Sequence, residues 1–347
     1  MQVFNLESII RKNVRDMRSY SSARDEFTST NQQLIFLDAN ENPFDTGMNR
    51  YPDPKQLSLK QVLAKQKKVV ETSILIGNGS DEVLDLIFRA FCEPKEDNVI
   101  TLPPTYGMYG VLAQLNAVEN REVFLTADFQ LDVDEILNQV TNQTKIIFLC
   151  SPNNPTGNSF SRASIEKIVK SFQGLVVIDE AYIDFSIQES WLTQLAHYPN
   201  LIITQTLSKA YGLAGIRIGV LYASPAIIAI LNKIKPPYNI NSLSQSQAIL
   251  SLNQSGKLKN DLAALLGLRT ILIDELSKLS FVEKVFVTDA NFILIRVDDA
   301  NLRYQQLLSK GIVVRNRSNQ PLCENCLRIT IGTRKENEQL LTILKQL

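Results

Sequence analysis

A single histidine, His197, occurs in 347 residues. That scarcity removes the residue on which most acid–base triads and many zinc or iron sites depend. Cysteine is nearly as rare, with four residues at positions 92, 150, 323 and 326, too few to staple a chain of this size. Cys323-Glu324-Asn325-Cys326 has metal-ligand spacing, but a zinc site needs about four ligands. Neither a second CxxC nor a second histidine is there to complete one. A redox pair would open a helix after a strand, whereas this one precedes the apolar run at 327–331, so its thiols read as structural and no metal is expected. An excess of charge of one sign is missing too, because Lys+Arg and Asp+Glu both number 36. No basic surface for nucleic acid or an anionic membrane follows from that balance. No apolar run approaches the roughly 18 residues that cross a bilayer. The N-terminal stretch is broken by Glu7, Arg11, Lys12, Arg15 and Arg18, so no secretory leader is expected. A cytoplasmic protein acting on small molecules is the expectation, with neither nucleic acid nor membrane as a partner.

What is present is apolar surface. Hydrophobic residues make up 44% of the chain and charged residues 21%, enough for a large core and an attached lobe. Leu6, Ile9, Ile10, Val14 and Met17 fall at helical spacing, and the polar residues 19–33 read as an arm. Ile74-Leu75-Ile76, Asn98-Val99-Ile100-Thr101-Leu102, Ile146-Ile147-Phe148-Leu149, Leu175-Val176-Val177-Ile178 and Leu201-Ile202-Ile203-Thr204 read as buried strands. The intervals between them leave room for crossover helices. That predicts an α/β large domain whose mostly parallel central sheet is covered by helices on both faces. Lys235-Pro236-Pro237-Tyr238-Asn239 breaks the pattern as a hinge. Beyond it a long helix over about 242–278, four strands and one intervening helix predict a smaller α+β domain. The expected organisation is an N-terminal helix and arm over 1–30, a large domain over 51–239, and a small domain from 31–50 and 240–347.

Polar turns follow the apolar strands, and open parallel sheets place ligands at that edge. Gly77-Asn78-Gly79-Ser80-Asp81 opens a helix and reads either as a phosphate cradle or as an ordinary N-cap. Tyr106, in Pro103-Pro104-Thr105-Tyr106, either stacks on a flat ring or fills a core corner. Asn154 precedes a proline, is held extended, and projects its amide into the crevice. Asp179 ends an apolar strand, where a carboxylate is costly unless a cation meets it or it caps a helix; Tyr182 follows three residues on. Lys209 follows another apolar strand, beside Thr206, Ser208 and Arg217. Partial desolvation there makes its amine a nucleophile toward an aldehyde, and the neighbouring hydroxyls and guanidinium suit a phosphate. An aldehyde that carries a phosphate is pyridoxal 5'-phosphate.

In order and spacing, Asn153-Asn154-Pro155-Thr156-Gly157, Asp179-Glu180-Ala181-Tyr182 and Ser208-Lys209-Ala210-Tyr211-Gly212-Leu213-Ala214-Gly215-Ile216-Arg217 resemble the aspartate-aminotransferase-like, fold type I pyridoxal-phosphate enzymes. The resemblance covers essentially the whole chain. Further segments are similar to the histidinol-phosphate aminotransferases of that family: Asn13-Val14-Arg15 with Tyr20-Ser21-Ser22-Ala23-Arg24, Asp38-Ala39-Asn40-Glu41-Asn42-Pro43, Arg50-Tyr51-Pro52-Asp53, Val314-Arg315 and Leu327-Arg328-Ile329-Thr330. The arm departs from the pattern at Ser19, where those enzymes usually carry proline.

The resemblance implies that Lys209 bonds the cofactor and shuttles the proton, and that Asp179 pairs with the ring nitrogen. Asn154 and Tyr182 hold the ring oxygen, and Tyr106 stacks on the ring. Ser80, Asp81, Thr206, Ser208 and Arg217 hold the phosphate, joined by Tyr51 from a second subunit of a homodimer. Arg328 meets the carboxylate of glutamate or the phosphate of the other substrate, with Arg315, Tyr20 and Asn42 adding substrate contacts. The implied reaction interconverts histidinol phosphate and 2-oxoglutarate with imidazole-acetol phosphate and glutamate, in histidine biosynthesis. The alternatives are a threonine-phosphate decarboxylase-type lyase and an aromatic amino-acid aminotransferase. The N-terminal helix and arm, short of core of their own, are expected to pack on the second subunit.

Overall fold

The computed structural model describes residues 4–18 and 35–347, with only the backbone of Ser255. Tyr20 and the rest of the expected arm lie outside the described residues. Seven strands form the main sheet: β1 (Ile74–Asn78), β2 (Asn98–Thr101), β3 (Glu119–Glu122), β4 (Thr144–Cys150), β5 (Leu175–Asp179), β6 (Leu201–Thr206) and β7 (Ile218–Ala223). Their order is β1-β7-β6-β5-β4-β2-β3, and only β7 runs against the others. The carboxyl ends of β1, β2, β4, β5 and β6 therefore share one edge. Strands β2, β5, β6 and β7 are buried along their whole length, as expected of a sheet covered on both faces.

Two strands lie outside the set expected from apolar runs, although β7 is itself apolar. β3 reads Glu-Asn-Arg-Glu and forms by parallel pairing beside β2 at the sheet margin, where charged side chains protect an open edge. β7 follows directly on the Arg217 turn and reverses direction between β1 and β6.

A second sheet joins β8 (Val282–Val285), β9 (Phe292–Val297), β10 (Arg315–Asn316) and β11 (Cys326–Thr330) in the order β10-β11-β9-β8, all antiparallel. Alternation sends Ile293, Ile295, Leu327 and Ile329 into a core with Leu272, Leu276, Leu340 and Leu344 from the covering helices. Phe292 and Leu294 join clusters on the large-domain side, which is the face on which Arg328 stands. The single long helix expected over about 242–278 is two helices, Ser242–Leu252 and Ser255–Leu276. They part at Asn253-Gln254, where asparagine, a poor helix former, coincides with a change of core: Leu252 shares a core with Leu59 and Ile76, Leu272 with Ile293.

The N-terminal stretch is a 3-10 turn, Leu6–Ser8, and a short helix, Lys12–Asp16. Ile9, Ile10 and Val14 are buried among Phe88, Phe91, Ile227 and Leu231 of the same chain. Arg11 pairs with Glu93 at 3.2 Å. This segment therefore does not need a second subunit to bury its apolar face, contrary to the expectation from the sequence.

Asn200, buried just before β6, donates from Nδ2 to the carbonyls of Val169, Phe172 and Gly174 at 3.1, 3.1 and 3.3 Å. The first two close the carboxyl end of the helix Arg162–Ser171, whose last carbonyls lack helical partners. Asn200→Ala leaves these acceptors dry, and we expect a loss of about 2–4 kcal/mol in urea-induced unfolding. A loss below about 0.5 kcal/mol would show that the carbonyls find other donors.

Candidate active site

The turns at the shared edge converge on one cleft. Ser80 and Asp81 enter from the turn after β1, Tyr106 from that after β2, and Asn154 from that after β4. Asp179 and Tyr182 follow β5, Thr206, Ser208 and Lys209 follow β6, and Arg217 precedes β7; all ten line the cleft. Backbone geometry fixes the first turn. Gly79 has φ +83°, and a Cβ there would stand 2.4 Å from the Arg217 guanidinium. A Cβ on Gly219 would stand 2.5 Å from the backbone N of Ser80. The two glycines let Arg217 lie against the start of the helix Ser80–Phe91, where free N–H groups and the helix dipole favour an anion. Thr206 Oγ1 accepts from Ser208 N at 3.1 Å, which holds the two hydroxyls side by side. The Asp81 carboxylate accepts from Tyr106 Oη at 3.0 Å and pairs with Arg217 at 3.6 Å, so any help that Asp81 gives an anion must come from its backbone N–H.

Asn153, absent from the sequence-based set, locks the Asn-Pro turn. It donates to Pro104 O at 2.8 Å and Thr156 Oγ1 at 2.7 Å, and accepts from Thr105 Oγ1 at 3.0 Å. Its neighbour Asn154 accepts a short hydrogen bond from Arg328. That contact joins the sheet edge to β11 and keeps the Asn154 Nδ2 donor for a ligand.

Asp179 is 3% exposed and accepts from Tyr109 Oη at 2.8 Å and Ala181 N at 3.1 Å. Burial raises its pKa above the usual carboxylate value; the two donors oppose the shift without cancelling it. Tyr109 is fully buried and stacks on Phe148 at 4.9 Å. Sequence reasoning gave it no role, although it stands three residues after Tyr106 at the start of a helix, the spacing that aligns side chains on one face. Tyr182 is buried edge-on against Phe292; burial raises its phenol, so it stays a donor. The Lys209 amine lies 5.7 Å from the Tyr182 ring. Partial burial, then the Arg328 charge, lower its pKa, so more of it is neutral and nucleophilic at a given pH.

The remaining expected residues lie elsewhere. Tyr51 is half exposed and stacks on Tyr238 at 4.6 Å, in a separate hollow with Glu41 and Asn241. Asn42 is exposed and accepts from Phe44 N at 2.9 Å in a local turn. Arg315 is exposed, opposite Arg328 in the β10–β11 register. Within the single chain none of the three lines the cleft. Among the described residues no His/Cys/Asp/Glu cluster could hold a metal.

The raised pKa of Asp179 has a consequence for stability. The folded chain holds this proton to higher pH than the unfolded chain does. The penalty is therefore absent below the unfolded pKa, sets in as pH rises through it, and is complete above the folded pKa. Asp179→Asn removes it. Ligand-free Asp179→Asn protein is expected to melt at least about 2 °C above the parent at pH 7.5, with the gap closing toward pH 4. Equal melting at both pH values would mean that Tyr109 and Ala181 fully compensate the buried charge.

The comparisons with known proteins agree with this geometry. Residues 32–344 match the family model described as aminotransferase class I and II. A histidinol-phosphate aminotransferase of Flavobacterium psychrophilum is 62% identical over 347 residues, covering all of both chains. Among solved structures, the histidinol-phosphate aminotransferase from Clostridium acetobutylicum superimposes with a TM-score of 0.80 at 25% identity, over 86% of this chain and 91% of that one. The enzyme of the same name from Sinorhizobium meliloti, in complex with pyridoxal-5'-phosphate, gives 0.79 at 25% identity over 86% and 82%. With a family model spanning nearly the whole chain and the cleft assembled from its five strand ends, this chain belongs to the class I and II aminotransferases.

Proposed function

We propose that the chain is a pyridoxal-phosphate-dependent histidinol-phosphate aminotransferase, exchanging the amino group between histidinol phosphate and 2-oxoglutarate. The observation that carries the reading is the charge pattern of one cleft: a buried carboxylate at Asp179 with only neutral hydrogen-bond donors, facing a set of anion donors at Ser80, Ser208 and Arg217. A ligand that is cationic at one end and phosphorylated at the other fits both. Pyridoxal phosphate has those ends, and when bound it supplies an aldehyde for amine exchange and a ring that withdraws electrons.

The protein's own groups do the rest. Asp179 gives the ring nitrogen a counter-charge, at a site whose burial makes that charge strong. Tyr182 and the Asn154 amide present donors to the ring oxygen, and Tyr106 bounds the cleft beside them. Lys209 offers a neutral amine for the aldehyde and, once released, a base to move a proton at the substrate carbon. Arg328 is positioned by Asn154 for the substrate anion. Its guanidinium stands over the Phe292 ring at 5.1 Å, and burial and the nearby Arg317 bring its pKa down to about 10, still cationic at neutral pH. The full-length relatives sharing about three-fifths of the sequence bear the aminotransferase name, which favours this reading over a lyase or an aromatic aminotransferase.

No helix among the described residues is long and apolar enough to cross a membrane, and we place the enzyme in the cytoplasm. Purified protein with histidinol phosphate and 2-oxoglutarate should form glutamate, and Arg328→Ala should lower kcat/KM in both half-reactions by about 100-fold or more, the scale of a lost charge-assisted anion contact. Release of CO2 from threonine phosphate without glutamate formation would replace this reading with the lyase.

We also propose that the active unit is a homodimer in which Tyr51, exposed and remote from its own cleft, reaches the cofactor phosphate of the partner, with Tyr20 and Asn42 serving the substrate. A Tyr51→Phe chain mixed with a Lys209→Ala chain tests this. Heterodimers carrying both lesions in one cleft and none in the other should exceed the activity of the Tyr51→Phe chain alone. Activity that only sums over the two parents would place Tyr51 in its own chain's site or in none.

A further inference from the structure

A second hollow, of about 590 Å³, is lined from the helices Leu57–Lys67 and Pro225–Ile234. None of its lining residues lines the cleft. Four lysines face it, Lys55, Lys60, Lys233 and Lys235, against one carboxylate, Glu71. In a chain whose basic and acidic residues are equal in number, that is a local excess of cations.

The lysines differ in what they already do. Lys233 Nζ donates to Arg15 O at 3.0 Å, at the end of the helix Lys12–Asp16. Lys235 Nζ donates to Pro54 O and Pro236 O, each at 3.2 Å, and to Asn239 Oδ1 at 3.0 Å. Its three protons are engaged, so it gives the hollow charge rather than a donor. Lys60 is 8% exposed, and the little that is exposed opens on the hollow. It is drawn inward beside Leu59 and Leu63, which belong to the core. Its ammonium makes no hydrogen bond or ion pair with any described residue. The Asp53 carboxylate, which attracts it, already accepts from Lys55 N at 2.8 Å and Leu57 N at 2.6 Å. Burial, then the Lys235 charge, bring the Lys60 pKa down to about 8, with Asp53 and Glu71 opposing the shift and Lys55 adding to it. A buried charge without a counter-charge is costly, and an anion beside it would favour the ammonium form.

We propose that this hollow binds a small oxyanion of the phosphate class, with the Lys60 ammonium as direct donor and the other three lysines supplying charge around it. The preference for phosphate over carboxylate follows from charge and shape. Several ammonium groups around one space call for more than the single charge of a carboxylate, and a phosphate monoester carries about −1.5 to −2 at pH 7. Lysines also lack the planar fork that matches a carboxylate, and meet a compact anion as point charges. The site lies apart from the cleft and does not depend on the aminotransferase reading.

Trace acetylation with acetic anhydride at pH 8, read residue by residue by mass spectrometry on the pyridoxal-phosphate-loaded protein, tests the site. The anhydride takes neutral amines, and a phosphate on Lys60 both covers the amine and holds it charged. Saturating inorganic phosphate should slow labelling of Lys60 at least about fivefold. Against sodium chloride of the same ionic strength, the exposed Lys259 should change by less than about 1.5-fold, and acetate should leave Lys60 within the same margin. Equal slowing at both lysines, equal protection by acetate, or no protection of Lys60 would overturn the proposal. Phenyl phosphate run in parallel separates the sources: stronger protection than by inorganic phosphate assigns the hollow to phosphate esters, and weaker protection to the free anion. Equilibrium dialysis of radiolabelled phosphate gives a second measure, with pyridoxal-phosphate-loaded Arg328→Ala protein so that the cleft does not compete. Adding Lys60→Met should weaken binding at least about fivefold, through loss of one charged donor, and unchanged binding would overturn the proposal. If Lys60→Met does not fold, the labelling of the parent chain decides.

Discussion

Asp179 ends an apolar strand with a charge that the surrounding protein does not neutralise. Its two bonded donors, the Tyr109 phenol and the Ala181 amide, are neutral, and burial still holds its pKa above the usual value. A fold tolerates such a group only if the rest of the structure over-determines its place. That is the arrangement here. β5 is central in the sheet, paired on both sides by parallel neighbours, and the aromatic stack of Phe88, Phe148 and Tyr109 fixes the phenol that steadies the carboxylate. The site is thus an unfinished ion pair held rigid by a finished core.

The same logic runs in the opposite sign across the cleft. Lys209 and Arg217 line the cleft with Asp179, Arg328 bonds Asn154 beside them, and burial followed by nearby guanidinium charge lowers the pKa values of Lys209 and Arg328. Stability is spent in two places, on an anion without a cation and on cations without an anion. A ligand that is positive at one end and negative at the other relieves both, because in a poorly solvated cleft each contact is worth more than it would be in water. Glu180, the next residue along, is also buried, yet it accepts from Ser190, Gln205 and the Trp191 amide. One carboxylate is structural and the other is left open, and only the donor set distinguishes them.

Much of this was legible from the chain alone, for a physical reason. Each site turn follows a run of apolar residues, so the sequence marks both the strand and the place where it stops. Ten expected residues line one cleft as a result. Tyr109 went unassigned because its bond to Asp179 links residues 70 apart, and sequence spacing carries no sign of such a contact. Asn153 sat beside the more telling Asn154, and only the structure shows it tying two turns together. β3 is polar throughout, so it has no periodicity to read. The N-terminal segment misled for a related reason: its apolar residues were visible, but the surface that receives them, between the helices Ser80–Phe91 and Pro225–Ile234, exists only once the domain is folded.

Arg315, Arg317 and Arg328 show where pattern reading gives way to geometry. Arg315 and Arg317 are two residues apart, and strand alternation alone sends both to the same side. What separates them is that β10 ends at Asn316. Arg317, just past the strand, donates its backbone N–H to Cys326 O and is half-buried, while Arg315 is exposed. Asn154 acts from the other side: by accepting from Arg328 Nη1 it fixes one guanidinium, while the Nε atoms of both Arg328 and Arg317 stay buried without a partner.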